Sequence, residues 1–497
     1  MQPTDVAGLG FKRDPGAAEP IYLQLAAALS DAIRAGRIAV GARLPSERTY
    51  ATQLGVSRTT VTSAYQELKA MGLMRGHVGR GVIVIASDPD GAPAGAVPWQ
   101  HLASPVTRLT VSTLNAIDSQ AISFADGWLH PSLIPAAALE ACATRVAKDR
   151  SLFTSAAPLL GLPALQQALI DMLRGNAVKA SPGELLITSG AQQGLNVVAR
   201  ALVSPGDVVL CESPTWHGAL RAFRAAGAQV LGVPMDHEGV DPEALEEALM
   251  RQRPKLIYLI PSFQCPTGRL LSLARRRRVI AIAARHHTPI LESHVYGDIS
   301  FGPKLPCLKS LDTAGLVIHQ GSASKIISPA LRLGWLVAPR AAIELLAPAK
   351  ASLDLSTPAL PQAVLAGFLG SGAYARHQPL FRDQLRMRCD ALITALAAHC
   401  PELRYARPQG GLYLWARLPK FLQAQELEAI AAAAGVLIRS GDSFLTNGAS
   451  SNHIRLCFAA PARDDIVVGA QRLGTALRSL LQRHRTSGPR DAAFAPV

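Results

Sequence analysis

The stretch GSASKIISPALRLGW, residues 321–335, sets Lys325 among small hydroxyl residues and follows it with Arg332. A lysine amine forms Schiff bases with aldehydes, and the commonest biological case is pyridoxal 5'-phosphate (PLP). The phosphate of such a ligand needs hydroxyls, backbone N–H groups and a fixed cation. Ser322 and Ser324 flank Lys325, and Arg332 offers a guanidinium able to grip a phosphate with two bonds. A lone S-x-S-K is a weak signal, because surface lysines are far commoner.

Four companion segments strengthen it. ITSGAQQGL (187–195) reads as a strand ending in small residues before a helix, and a helix N-terminus is a natural phosphate cradle, built here from Ser189, Gly190, Ala191 and Gln192. In ESPTWHGAL (212–220), Trp216 follows a strand end, where it could stack on a pyridine ring; taken alone it reads equally well as a core residue. PSFQCPTG (261–268) is a strand followed by a Pro-Thr-Gly turn. In NHIRLCFA (452–459), Arg455 sits in an otherwise apolar strand. An unpaired charge there is costly, so it requires an anion, either a structural carboxylate or the carboxylate of a ligand.

A second chemistry lies near the N-terminus, in LPSERTYATQLGVSRTTVTSAYQELKAMG (44–72). Ser46 can cap a short helix through Leu54, Gly55 can make a tight turn, and Ser57 can cap a second helix. On that second helix Val61, Ala64, Tyr65, Leu68 and Met71 fall on one face, while Arg58, Thr59, Thr62 and Ser63 fall on the other. An apolar back with short polar groups and an arginine in front is how a helix that reads base edges is built. The following VGRGV suits a tight wing with Arg80 at its tip.

The elements that must position these groups alternate. ELLITSG (184–190), DVVLCES (207–213), QVLGVPM (229–235), KLIYLIPS (255–262), PILES (289–293), GLVIHQG (315–321) and LGWLVAP (333–339) read as strands, with helical stretches between most of them. That alternation predicts a mainly parallel sheet covered on both faces. PLFRDQLRMRCDALITALAAH (379–399) reads as a long helix, and GLYLWARL and HIRLCFA as strands of a smaller α+β subdomain. The run ARRRRVIAIAARHH (274–287) reads as a solvated helix face with Val279, Ile280 and Ile282 inward, the other reading being an extra contact to a DNA backbone. With 49% hydrophobic and 17% charged residues among 497, the chain is a folding one of more than one domain, and its net charge of +14 favours polyanionic partners. The seven cysteines are scattered without a CxxC pair, which predicts neither a zinc site nor disulfides and points to a reducing cytoplasm. No apolar signal core or bilayer-length apolar run is visible.

Residues 21–84, with LPSER, LGVSRTTV and a G-x-G wing in order, resemble the GntR-type winged helix. The resemblance implies DNA contacts for Arg48, Ser57, Arg58 and Thr59, for wing residues Gly79 and Arg80, and a shortened or lost one at Thr62, where many relatives carry Arg. From about residue 120 to 480 the segments above resemble the fold-type I aminotransferases, and the combination resembles the MocR group of bacterial transcription regulators. That implies an α/β architecture: a winged helix-turn-helix (15–85), a linker (86–118), an aminotransferase-like domain with a large sheet domain and a small α+β subdomain (119–485), and a disordered tail (486–497). It also implies that Lys325 holds PLP, that the large domain senses an amine, an amino acid or PLP itself for a head bound to an operator in double-stranded DNA, and that the chain forms a domain-swapped homodimer.

Departures from the enzyme pattern bear on catalysis. Where aminotransferases place Asp against the pyridine nitrogen in D-x-x-Y, this chain has Ser293-His294-Val295-Tyr296. Serine can hydrogen-bond the ring but cannot hold its proton as a carboxylate does. On a strand, Glu292 and His294 should face away from Ser293, although Glu292 could approach the nitrogen if the strand had ended. Cys265 replaces the asparagine that bonds the cofactor ring oxygen, and Ala156 stands where a tyrosine often reaches the neighbouring subunit's phosphate. The resemblance therefore implies cofactor holding and carboxylate recognition with weakened catalytic equipment, the alternative being an active aminotransferase that also binds DNA. His286 and His287 lack the spacing of metal ligands.

Overall fold

Two serines start the helices of the N-terminal unit. In this computed structural model, Ser46 Oγ accepts the Thr49 N–H at 3.2 Å and Ser57 Oγ accepts the Thr60 N–H at 3.1 Å, each satisfying an amide that the first turn leaves open. The structure describes Phe11 and residues 19–34, 37–39, 41–77, 81–84 and 121–486. The described residues fall in two units, divided in the chain between Asn115 and Ala116.

In the first unit, α1 (Ile21–Arg34), α2 (Glu47–Leu54) and α3 (Arg58–Ala70) surround a core that includes Leu25, Leu29, Ile33, Tyr50, Val61, Ala64, Tyr65 and Leu68. Gly55, at φ 64°, makes the turn between α2 and α3 in a conformation that suits glycine. Tyr65 Oη donates to the Pro45 carbonyl at 3.0 Å, satisfying its polar end inside the core. Met71 departs from the expected inward face. Helix α3 ends at Ala70, so Met71 is its cap and is 42% exposed. Strands β1 (Arg43–Leu44), β2 (Met74–His77) and β3 (Gly81–Val84) form an antiparallel sheet in the order β1-β3-β2. The wing residues Gly79 and Arg80 lie outside the described residues, as do the expected linker and all of the expected tail after Thr486.

The second unit is built on an eight-stranded sheet in the order Leu185–Thr188, Gly334–Val337, Val317–Ser322, Ile290–Ser293, Leu256–Leu259, Val208–Ser213, Gln229–Asp236, Gly239–Val240. The strands starting at 317, 290, 256, 208 and 229 run parallel in sequence across the sheet, and Gly334–Val337 runs antiparallel to both its neighbours. Leu256–Leu259 and Ile290–Ser293 are buried along their whole length because helices cover both faces, which explains the continuous apolar sequence of the first and leaves Glu292 and Ser293 of the second as buried polar groups. All seven expected strands are present, and the short antiparallel Gly239–Val240 joins them.

A four-stranded sheet, ordered Arg404–Tyr405, Tyr413–Arg417, His453–Cys457, Arg439–Ser440, packs with the helices Ala373–His399 and Asp465–Thr486 into the smaller part. The long helix begins at Ala373, ahead of the expected start, and carries Pro379 inside it.

The arginine-rich run forms the helix Leu273–Arg285 with Val279, Ile280 and Ile282 buried. Its charges are largely neutralised within the fold. Arg275 pairs with Asp236 at 2.6 Å and Glu238 at 3.0 Å, Arg278 with Glu243 at 2.7 Å, and Arg285 with Glu246 at 2.6 Å. Arg276, expected on a solvated face, is fully buried and donates to the carbonyls of Leu271, Pro306 and Pro261 and to Ser262 Oγ. Among the described residues, no helix is long and apolar enough to cross a membrane.

Candidate ligand site and nucleic-acid interface

The parallel strands deliver their carboxyl ends to one edge of the sheet, the place where open α/β sheets bind ligands. Strand Val317–Ser322 runs into a single 3₁₀ turn, Ala323–Lys325, with Ser322 Oγ accepting the Ser324 N–H at 3.2 Å. That turn lifts Lys325 off the sheet. Its Nζ donates to the Gly127 carbonyl at 2.7 Å and stands 4.7 Å from the centroid of the Trp128 ring. Burial lowers the Lys325 amine from the usual lysine range to about 8, with Arg455 and Arg332 pushing the same way.

Arg332 adopts a left-handed φ of 50° just before strand Gly334–Val337, and its Nη1 lies 3.5 Å from Ser324 Oγ. Across from it, Gly190 (φ 93°) begins the helix Ala191–Leu202 without a side-chain cap. A Cβ on Gly190 would come within 3.1 Å of Arg332 Nη2, and one on Gly334 within 2.8 Å of the Gly190 carbonyl carbon. Two glycines thus let a guanidinium approach uncapped helix amides, which is a cradle fitted to a phosphate.

Of the four residues expected there, Ser189 turns away. Its N–H donates to Gln193 Oε1 at 2.7 Å and its Oγ to Asp354 at 3.3 Å, a carboxylate also held by Lys350 at 2.8 Å. The Ala191 carbonyl takes a bond from Gln320 Nε2 at 2.7 Å, and Gln192 Nε2 donates to the Gly218 carbonyl at 3.3 Å. Trp216 precedes the helix His217–Ala225 and is half-buried; a Cβ on Gly218 would lie 2.6 Å from its ring.

Ser293 ends its strand, buried, with Gln320 as its register partner. Glu292 faces the other way. Its carboxylate accepts the N–H of Leu308 at 2.7 Å, the N–H of Lys309 at 3.0 Å and a bond from His319 Nδ1 at 2.9 Å. Burial alone would raise this carboxyl; the hydrogen bond and charge of His319 outweigh it and hold Glu292 ionised. The strand persists through Ser293, so the alternative of Glu292 serving the ring nitrogen is overturned. Cys307 completes a buried trio with Glu292 and His319, their ligand-type atoms within 4.8 Å of one another, a juxtaposition that no sequence spacing announces.

The small sheet supplies the opposite wall. Arg455, buried in strand His453–Cys457, donates to Cys265 Sγ at 3.5 Å and to the Ala125 carbonyl. Its guanidinium lies 4.4 Å from the centroid of the Tyr413 ring and 5.0 Å from that of Phe444, and its Nε is buried without a partner. None of these neighbours is a carboxylate, so of the two expected anions the structural one falls. Tyr296 Oη lies 3.2 Å from Tyr413 Oη, joining the two walls.

Sequence reasoning missed Gly127, Trp128 and Tyr413. The glycine is forced: a Cβ on Gly127 would sit 2.4 Å from Tyr413 Oη and 3.3 Å from Lys325 Nζ. The available signal was the Gly-Trp pair in FADGWLHP, a glycine beside a large aromatic just ahead of the first helix of the unit.

In the first unit, Ser57, Arg58 and Thr59 are exposed at the start of α3, and Arg48 is exposed on α2. The Arg58 side chain is 73% exposed and 3.8 Å from Glu47, too open a pair to fix it. Thr62 is part-buried and donates to the same Glu47 carboxylate at 3.0 Å, so it braces α2 against α3.

Residues 123–473 match the family model of aminotransferase class I and II, and residues 21–84 match that of bacterial regulatory proteins of the gntR family. The HTH-type transcriptional regulator YdfD of Bacillus subtilis is 31% identical, over 93% of this chain and 98% of its own. TauR, an HTH-type transcriptional regulator of Rhodobacter capsulatus, is 30% identical over the same shares. The 2-aminoadipate transaminase of Thermus thermophilus is 37% identical over 72% of this chain and 91% of its own. Among solved structures, the α-aminoadipate aminotransferase LysN of Thermus thermophilus, complexed with N-(5'-phosphopyridoxyl)-L-leucine, superposes with a TM-score of 0.72 at 34% identity, covering 78% of this chain and all of that one.

Proposed function

Because the chain belongs to the MocR-type regulators, a gntR-family head joined to an aminotransferase class I and II domain, we propose that it senses an amine or amino acid at a PLP site and passes the signal to operator DNA. PLP is the cofactor of this fold, and when bound it supplies an aldehyde that takes up amines covalently and a ring that draws electrons. The residues present suit it. Lys325 offers an amine with a lowered pKa, Arg332 and the amides after Gly190 take a phosphate, Trp216 offers a ring face, and Ser293 offers a hydroxyl to a ring nitrogen.

Arg455 carries the reading. A buried guanidinium with a free Nε shares the cleft with Lys325 and has thiol, carbonyl and aromatic neighbours but no carboxylate. A ligand carboxylate satisfies it, and an amine on the same ligand meets the Lys325 side. Ser293 in place of an acid favours ligand holding over turnover, because a hydroxyl does not keep the ring protonated. The head docks its exposed α3 start, with Arg58 foremost, in the major groove. Our reading further takes the chain as a cytoplasmic homodimer in which each head packs near its partner's large domain.

The test joins two readouts on one sample: the visible spectrum of the PLP-loaded protein and the footprint on its operator, each during titration with a panel of amino acids. A shared midpoint for both is the expected result. Rapid amino transfer with an unchanged footprint would replace this reading by that of an aminotransferase, the activity named for the Thermus relative.

A further inference from the structure

We infer that the effector carries a second acidic group, received by Arg439 together with His217 and Arg221 beside the Arg455 site. This inference rests on the sensing function proposed above and names the chemical class of the effector as an acidic amino acid.

Arg439 and Arg455 are Cα partners on antiparallel neighbouring strands. Residues so paired project from the same face of the sheet, and like charges directly opposite each other are destabilising. The arrangement persists only if an anion offsets it. Glu428 supplies part of one: it lies 3.5 Å from Arg439 Nη1 and also accepts the Ser440 N–H at 3.1 Å. One carboxylate, itself engaged with the backbone, leaves the two guanidiniums under-compensated.

The positive region continues across the cleft. The Phe444 ring touches both sides, 5.0 Å from the Arg455 guanidinium and 5.5 Å from the His217 ring. His217 opens the helix His217–Ala225, and its Nδ1 is buried without a partner. Arg221 lies one helical turn further on the same face and is part-buried. Burial first, and then Arg455, Arg221, Arg439 and Lys325, lower His217 to about 3, so its imidazole is neutral and free to donate one N–H. Burial and the nearby Arg439 likewise lower Arg221. An unpartnered imidazole nitrogen among arginines, next to the amine and carboxylate positions, is the setting of an ω-acid group. The α-carboxylate goes to Arg455 and the ω-acid to Arg439, with His217 and Arg221 as further donors.

The experiment compares the PLP-loaded full-length protein with aspartate, glutamate and the one-carbon-longer diacid against asparagine, glutamine and the matching amide, by calorimetry and by absorbance. At least one diacid should bind about tenfold or more tightly than its amide. Arg439→Gln should bring that ratio close to one, with diacid affinity falling far more than amide affinity and the cofactor still bound, and Arg439→Lys should restore part of the preference. Diacid and amide affinities within twofold of each other in every pair, or an equal loss of both in Arg439→Gln, would overturn the inference and leave amine sensing standing. A protein that answers to no amine of either kind would overturn the sensing function itself, and the inference with it.

Discussion

The lowered pKa of Lys325 can be tested before any ligand is identified. At about 8, roughly 9% of the Lys325 amine is neutral at pH 7, against about 0.04% for an ordinary lysine near 10.4, a gain of about two hundredfold. Only the neutral amine is nucleophilic. The cofactor-free protein, pulse-labelled with an amine-reactive reagent across pH 6–10, should therefore label Lys325 with a half-maximum near pH 8 and a plateau above about pH 9. Mass spectrometry of the peptide containing Lys325 gives the yield, and N-acetyl-lysine amide in the same tube corrects for the reagent. Restricted access of the reagent to the cleft slows every point of the curve alike without moving its midpoint. Burial is the largest cause of the shift and Arg455 a lesser one, so Arg455→Gln should move the midpoint upward by a fraction of a unit. A labelling rate that still climbs tenfold per pH unit at pH 9.5 would refute the argument that the cleft disfavours the ammonium.

Lys325→Ala should purify without the yellow colour of bound PLP, and borohydride should fix no cofactor to it; an unchanged spectrum would put the attachment elsewhere. Ser293→Asp should raise the rate of amino transfer from a bound amino acid by roughly tenfold or more, measured by stopped-flow absorbance, since a carboxylate would then hold the ring proton. Arg58→Ala should weaken specific operator binding by about 1–3 kcal/mol and relax discrimination at one base position in a mobility-shift competition. Leu68→Ala in the core of α3, where Leu68 is fully buried, should lower the stability of the head by about 2–5 kcal/mol in urea unfolding.

What could be read in advance follows from how local its cause is. Strands such as Leu256–Leu259 announce themselves because burial on both faces demands an unbroken apolar run. The serines that cap α2 and α3 act within three residues of themselves. Lys325 and Arg455 were legible as charges in apolar or small-residue company. Ser189 was misread because its hydroxyl is claimed by Asp354, far along the chain. Arg276 was misread for a similar reason: the carbonyls of Pro261, Leu271 and Pro306 converge on it only after the strands have ordered themselves. Gly127 and Tyr413 stay hidden in the sequence because each explains the other, and only the tertiary fold brings them together.

The segment Ile122–Trp128 ties the two sides of the cleft to one short piece of backbone. It pairs with Val436–Leu437 at one end, and two of its carbonyls occupy the hands of the site: Ala125 holds Arg455 and Gly127 holds Lys325. A ligand whose carboxylate takes Arg455, or a carbonyl compound that takes the Lys325 amine, competes for those same hydrogen bonds and releases the backbone that was making them. Both releases fall on one short stretch of main chain, so a ligand at either residue loosens the same backbone. A side chain at Gly127, which would meet Tyr413 Oη and Lys325 Nζ, would therefore disturb both hands of the site at once.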